Sequence, residues 1–236
     1  MSGAICYRCS SMSAFEEIRC LDIPLADKLA ANSEHLRNNS VEINGIYADI
    51  VERLRRAGAG EAAPQLGSPM PGFVLPAHSG RLVSSASLLE SGPLVISFNR
   101  GHWCSFCRLE LLALNDVYSQ IKSRGAKLIS IMPERAPSVT RLIGDYDIDF
   151  PVLIDMDNGY ALECALMISL GQTLRDAFTA RGTDLGRFQG NDGWCVPIPA
   201  TFILDQNGLI AGRFVDPDFR NRMSPEAILN CLDTIG

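Results

Sequence analysis

Two cysteines three residues apart, in Cys104-Ser-Phe-Cys107, have the type and spacing for chemistry. Residues i and i+3 are neighbours on one helix face, so thiols there can close a short disulfide. At the first turn of a helix, free backbone N–H groups and the positive end of the dipole stabilise a thiolate, the nucleophilic form. The flanking residues predict that setting. Leu94 to Phe98 is a short apolar run with β-branched members and reads as a buried strand. A Gly-containing turn follows, and the cysteines then open an amphipathic run. Leu111, Leu114, Tyr118 and Ile121 continue it at helical spacing, and Gly125 stops it behind Lys122 and Arg124. Strand, turn, CxxC and helix form the context in which such a pair works as a dithiol–disulfide couple. Zinc binding is the first competing reading, but it needs a second ligand pair. Cys6 and Cys9 lie in a remote N-terminal stretch, and no His pair accompanies either CxxC. An inert structural pair is the second.

Composition narrows the function classes. The chain has 236 residues, 47% of them hydrophobic and 20% charged, as in ordinary globular proteins. That length supports one well-cored domain plus an extension. A net charge of −6 argues against partners that are nucleic acids or anionic membrane surfaces. No segment approaches the roughly 20 unbroken apolar residues of a membrane span. Met1 to Cys20 lacks a basic flank followed by an apolar core, so no secretory signal is expected. Eight cysteines are too few for a disulfide scaffold in a chain this size. They fit a reducing, cytoplasmic setting in which thiols stay free, catalytic or metal-binding.

Three stretches are expected: an irregular tail over 1–20, an N-terminal helical extension over 21–62, and the main domain over 63–236. Met12 begins a more ordinary-looking start, which makes Met1 to Ser11 an expected disordered or mis-assigned extension. Helices are predicted over Leu25 to Arg37 and Val41 to Ala57. In the second, Ile43, Ile46, Tyr47, Ile50, Val51 and Leu54 line one face. Packing of that face on the main domain is the favoured reading, and a homodimer contact is the alternative. Ala59 to Pro71 reads as a linker, Phe73 to Leu75 and Arg81 to Val83 as short strands, and Ser87 as the start of a brief helical turn.

Beyond the CxxC helix, Ala126 to Met132 is an apolar strand, completing a βαβ unit and a parallel strand pair. Pro137 to Tyr146 then reads as a helix, Phe150 to Ile154 as a strand, and Asp157 to Ile168 as a helix containing Cys164. Ser169 to Trp194 looks like an insertion with a partial helix. Pro199 to Leu204 returns to strand, and Asn207-Gly208 predicts an antiparallel hairpin with Leu209 to Val215. Ser224 as N-cap and Pro225 at the first helical position open a last helix with Ile228, Leu229 and Leu232 inward.

Several blocks together carry a family resemblance. They are Arg100-Gly-His-Trp-Cys-Ser-Phe-Cys-Arg-Leu-Glu-Leu111, Gly182-Thr-Asp-Leu, Asn191-Asp-Gly-Trp, Pro197-Ile-Pro-Ala-Thr-Phe-Ile-Leu-Asp205 and Phe214-Val-Asp-Pro-Asp218. From about Leu66 onward the chain resembles peroxiredoxin-like proteins of the AhpC/TSA (alkyl hydroperoxide reductase/thiol-specific antioxidant) group. The resemblance implies an α/β, thioredoxin-like fold, a central mixed sheet flanked by helices. It also implies antioxidant or thiol-oxidoreductase activity. The substrate would be a hydroperoxide or a protein disulfide, and the reductant thioredoxin or another dithiol; a non-enzymatic redox sensor, whose disulfide state controls a partner, is the remaining alternative. No cofactor and no metal are expected.

Two departures bear on mechanism. Peroxiredoxins carry Pro-x-x-x-Thr/Ser-x-x-Cys and an arginine from a later strand. If Cys107 is aligned as the peroxide-attacking cysteine, with Glu110 as anchor, Cys104 takes the Thr position and Arg100 the Pro position. Pro199 falls near the later arginine, where thioredoxins have a cis-proline facing the dithiol, and a cis Pro199 is expected. A strand-start proline is the alternative. Cys104 is expected to be the more exposed, attacking thiol and Cys107 the resolving one, whereas the peroxiredoxin register gives the attack to Cys107. Trp103 is read as a shield for the thiolate and a docking face, or as a packed loop aromatic. Arg100 and His102 either lower the thiol pKa or are solvated loop groups. Cys195 has an alternative role as a second resolving thiol. Cys164 and Cys231 are expected in the core, and His35 and His78 at the surface.

Overall fold

The computed structural model describes residues 13–235, so the expectation about the first eleven residues and the Cys6–Cys9 pair lie outside the described residues. Three helices lead: α1 (Ala14–Arg19), α2 (Leu25–Asn39) and α3 (Val41–Arg56). A small hairpin of β1 (Val74–Pro76) and β2 (Leu82–Ser84) and a short α4 (Ser85–Leu89) precede β3 (Leu94–Phe98). Next come α5 (Ser105–Asp116), α6 (Tyr118–Ser123), β4 (Lys127–Met132), α7 (Ala136–Tyr146) and β5 (Val152–Ile154). The chain continues through α8 (Gly159–Glu163), β6 (Met167–Ser169), α9 (Gln172–Thr179), α10 (Leu185–Gln189) and β7 (Cys195–Pro197). It ends with β8 (Ala200–Leu204), β9 (Ile210–Val215) and α11 (Pro225–Ile235).

The central sheet has the order β5-β4-β3-β8-β9, with β3, β4 and β5 parallel and β8 and β9 antiparallel. Central position suits β3 because both its faces are apolar. Leu94, Ile96 and Phe98 enter one core with Ile129, Ile131 and Phe202. Val95 enters the other with Leu111, Leu114, Leu128 and Ile203. Residues two apart share a face, so the same period points Ser97 toward the helix that follows the cysteines. The predicted hairpin is present, with Asp205 Oδ1 accepting from the N–H groups of Asn207 and Leu209. The predicted cap of the last helix is present too, with Ala227 N–H donating to Ser224 Oγ at 3.1 Å.

Three elements differ from the sequence expectation. Residues 14–19 are helical rather than irregular, and Ser13 Oγ caps α1 by accepting from Glu16 N–H. The helix after the cysteines breaks at Val117, where Asn115 turns its side chain to the backbone of Asp147 and Asp149. Asn and Asp compete locally for backbone partners, which favours such a restart. The helix expected over 157–168 covers only Gly159–Glu163. Ala165 is left-handed at φ 53°, and Met167–Ser169 pairs instead with β7. A short apolar run does not distinguish helix from strand by periodicity, and the partner strand decides.

The N-terminal helices lie against the CxxC end of this frame. Ile43, Tyr47, Ile50, Val51 and Leu54 of α3 pack with Leu174, Ala177 and Phe178 of α9 and with Phe219, so the apolar face is core within the chain. Leu25 and Leu29 of α2 join the same cluster. The Arg108 guanidinium of α5 lies 3.8 Å from the Phe15 ring centroid and donates to the Tyr146 hydroxyl, which ties α1 down. No described helix is long and apolar enough to cross a membrane.

Candidate active site

Strand β3 delivers the chain through residues 99–103 to the N-terminus of α5, where Cys104 is the N-cap residue. Its carbonyl accepts from Arg108 N–H at 3.0 Å, and Cys107 sits one turn in. Both sulfurs are buried: Cys104 is 4% exposed and Cys107 0%. Cys104 is thus the more exposed of the two, but it does not lie at the surface. The cover is the N-terminal extension, since Leu29, Tyr47 and Ile50 share the cluster of the two cysteines. Asn32 of α2, itself buried, donates to Oγ of Ser105 between the cysteines at 2.9 Å.

Two arginines converge on the dithiol. Arg222, from the segment before α11, donates through Nη2 to Cys107 Sγ at 3.4 Å and through Nε to Glu110 at 2.7 Å. The side chains of Arg222 and Glu110 are each 1% exposed. Ser97 Oγ donates to the other Glu110 oxygen, and Arg222 also donates to the Phe219 and Asn221 carbonyls. The Arg100 backbone N–H is a second donor to Cys107 Sγ, at 3.4 Å. Its guanidinium is buried, with its carbon 4.0 Å from the Phe219 ring centroid and 4.8 Å from that of Trp103. Arg100 is thus buried rather than solvated, and its charge acts to lower the Cys104 pKa.

His102 faces elsewhere. Its N–H and Nδ1 meet the two oxygens of the buried Glu134 carboxylate at 2.8 and 2.7 Å. A buried carboxylate must be paired, and His102 supplies that pairing rather than a charge at the sulfur. Trp103 is half-buried, edge-on to Phe178 at 5.6 Å.

Pro199 is buried between β7 and β8, one step past the Phe98–Ala200 pair, across from Asn99 where the chain leaves for the cysteines. The expected cis bond is absent, since every peptide bond among the described residues is trans. The preceding Ile198 N–H bonds the Leu166 carbonyl at 2.8 Å, so the strand enters β8 extended without a turn, and trans is the lower-energy form for X–Pro. Cys195 is half-buried, and its thiol donates to the Gly193 carbonyl at 3.4 Å. Cys164 is in the core, whereas Cys231, His35 and His78 are half-buried. Among the described residues no three His, Cys, Asp or Glu side chains cluster as metal ligands do.

The surroundings shift the two thiols in opposite directions. Burial opposes ionisation of Cys104, but the hydrogen bond from Cys107 and the Arg100 and Arg222 charges outweigh it and bring the pKa down to about 5. Burial, and then the charge on Cys104, push Cys107 well above the ordinary thiol range. An unfolded cysteine titrates near about 8.5. Between the folded Cys104 pKa of about 5 and that value the unfolded chain binds the extra proton, so stability of the reduced protein should rise with pH. The contribution is lost as pH falls through the folded value, and the raised Cys107 acts in the opposite sense only above this window. Urea unfolding across the window checks this, and the slope should disappear in Cys104→Ser.

Gly101 makes the turn at φ 137°. A Cβ there would lie 2.6 Å from Glu134 Oε1 and 2.7 Å from Trp103 Nε1. Gly101→Ala should therefore break the His102–Glu134 clasp and cost about 1–3 kcal/mol. Unchanged urea stability would contradict this.

Sequence reasoning missed Arg222 and Asn32, which lie 115 and 73 residues from their partners Cys107 and Ser105. A signal for Arg222 was present, because an acid at Glu110 on the inward face of the CxxC helix demands a buried cation.

The model of the AhpC/TSA family matches residues 66–213. Among curated proteins, the thiol-disulfide oxidoreductase ResA of Bacillus anthracis is 27% identical over 160 residues, 67% of this chain and 75% of that protein. A ResA of Bacillus cereus is 22% identical over 161 residues, 67% and 75% of the two chains. Among solved structures, the peroxidoxin BcpB of Mycobacterium tuberculosis superposes with a TM-score of 0.58 at 18% identity, covering 73% of this chain and 99% of that one. A yeast mitochondrial 1-Cys peroxiredoxin gives 0.56 at 19% identity, covering 72% and 75%. The fold is therefore the thioredoxin-like fold of the peroxiredoxins, and the chain belongs to the AhpC/TSA family of thiol-dependent oxidoreductases.

Proposed function

We propose that this protein reduces hydroperoxides through a dithiol–disulfide cycle of Cys104 and Cys107. The observation that carries the reading is the burial of both sulfurs beneath α2 and α3, which admits a small oxidant more readily than a folded protein disulfide. The Cys104 thiolate attacks a peroxide oxygen, giving Cys104 sulfenic acid and an alkoxide that takes a proton from solvent to leave as the alcohol. That step removes the negative charge that held Cys107 protonated. The Arg222 Nη2 and Arg100 N–H donors on its sulfur then favour ionisation. Attack of Cys107 on the sulfenic sulfur releases water and closes the disulfide. Thioredoxin or another dithiol donor restores the thiols by exchange, for which a reducing compartment such as the cytoplasm is suited.

A second reading, reduction of protein disulfides, is favoured by the CxxC spacing and by the ResA relatives. It would need α2 to move aside so that Cys104 reaches a partner sulfur. Peroxide consumption with a regenerating dithiol, set against insulin-disulfide reduction by the same sample, separates the two. Catalytic consumption with slow insulin reduction is expected. Fast insulin reduction with peroxide turnover no better than a free thiol's would establish the second.

A further inference from the structure

Two helices cover the dithiol, and α2 is the less firmly held. Of its 15 residues only Leu25, Leu29 and Asn32 are buried, whereas α3 buries Ile43, Tyr47, Ile50, Val51 and Leu54. A segment with few buried apolar contacts opens locally at low free-energy cost. The third buried residue of α2 is polar, and Asn32 Nδ2 donates to Oγ of Ser105, between the two cysteines, at 2.9 Å. A buried amide is costly unless paired, so Asn32 holds α2 in place on the CxxC turn instead of adding apolar grip. Helices α1, α2 and α3 lie outside residues 66–213, the part of the chain that matches the AhpC/TSA family. The Asn32–Ser105 bond therefore ties this cover to the family's frame, in which Ser105 lies.

We propose that this bond is the latch of a size gate, and that Asn32 is a specificity-determining residue for the dithiol. The proposal rests on the Cys104–Cys107 cycle above and adds what selects its reagents. With α2 latched, a small oxidant or a small dithiol reaches the sulfurs. A folded protein, whether a disulfide substrate or a thioredoxin, reacts only in the fraction of molecules whose α2 has lifted. Removing one buried hydrogen bond should raise that fraction about five- to tenfold.

Alkylation of the reduced, full-length protein tests the gate without hydroperoxide or disulfide exchange. N-ethylmaleimide is compared with the same maleimide group coupled to a small folded carrier protein, at a pH just above the Cys104 pKa of about 5. Peptide mapping follows Cys104 and, as reference, the exposed Cys20 of the same chain. The Cys104-to-Cys20 labelling ratio of wild-type protein should be at least about a hundredfold lower with the carrier than with N-ethylmaleimide. Asn32→Ala and Ser105→Ala should each narrow that gap about five- to tenfold. The double variant should narrow it no further, because both substitutions remove one bond. No gap in wild-type protein, a result needing no variant, would overturn the gate. Single variants that keep the wild-type gap, or effects that multiply in the double variant, would overturn the latch. Hydroperoxide turnover no better than a free thiol's would sink the proposed function and leave the gate standing.

Discussion

Cys104→Ser is expected to lower hydroperoxide turnover by at least about a thousandfold, because it removes the only thiolate present at neutral pH in the buried pair. Cys107→Ser should behave differently. It keeps the attacking thiolate, consumes about one equivalent of hydroperoxide, and then stalls as a protein bearing one added oxygen, visible by intact mass. The asymmetry follows from the geometry. Cys104 occupies the N-cap position and carries the charge, whereas Cys107 lies one turn deeper and is held protonated until Cys104 has reacted. Stoichiometric hydroperoxide consumption by Cys104→Ser would reverse the roles and give the attack to Cys107, as in the peroxiredoxin register.

Arg222→Met is expected to cost about 3–5 kcal/mol in urea unfolding, because it leaves the Glu110 carboxylate buried without its cation. Burial, the largest influence on Glu110, pushes its pKa up, and the Arg222 charge opposes that. Replacing both partners removes the stranded charge, so Glu110→Leu combined with Arg222→Met should recover most of the loss. The contrast is Arg124 with Asp233, a solvent-screened pair at 2.7 Å, where Arg124→Met should cost far less than Arg222→Met. Equal losses at Arg222 and Arg124 would contradict the buried-pair account. The double variant should also slow disulfide closure, since Cys107 loses its Arg222 donor.

Local features of the chain were the legible ones. The apolar run from Leu94 to Phe98, the CxxC after it, the Asn207-Gly208 hairpin and the Ser224-Pro225 helix start each state their structure within a few residues. The site divides along the same line. Arg100, Cys104 and Cys107 lie within eight residues of one another, and the local chain brings them together, but Arg222 reaches Cys107 and Asn32 reaches Ser105 only through the tertiary fold. His102 looked equivalent to Arg100 until the buried Glu134 claimed it. The capping pair Ser13 and Glu16 did announce α1, yet irregular composition around it hid the helix. Pro199, expected as a cis-proline, lies across from Asn99 at the exit of β3 with a trans peptide bond.

The most direct measurement is the single-turnover oxidation of the reduced protein by hydroperoxide, followed by stopped-flow tryptophan fluorescence because Trp103 adjoins Cys104. Thiol mapping of the product completes it. At equal thiolate fraction the rate should exceed that of a small-molecule thiol by at least about a hundredfold. The only thiols lost should be Cys104 and Cys107, joined to each other. A rate equal to that of a free thiol, or oxidation that leaves Cys104 and Cys107 reduced, would contradict the account.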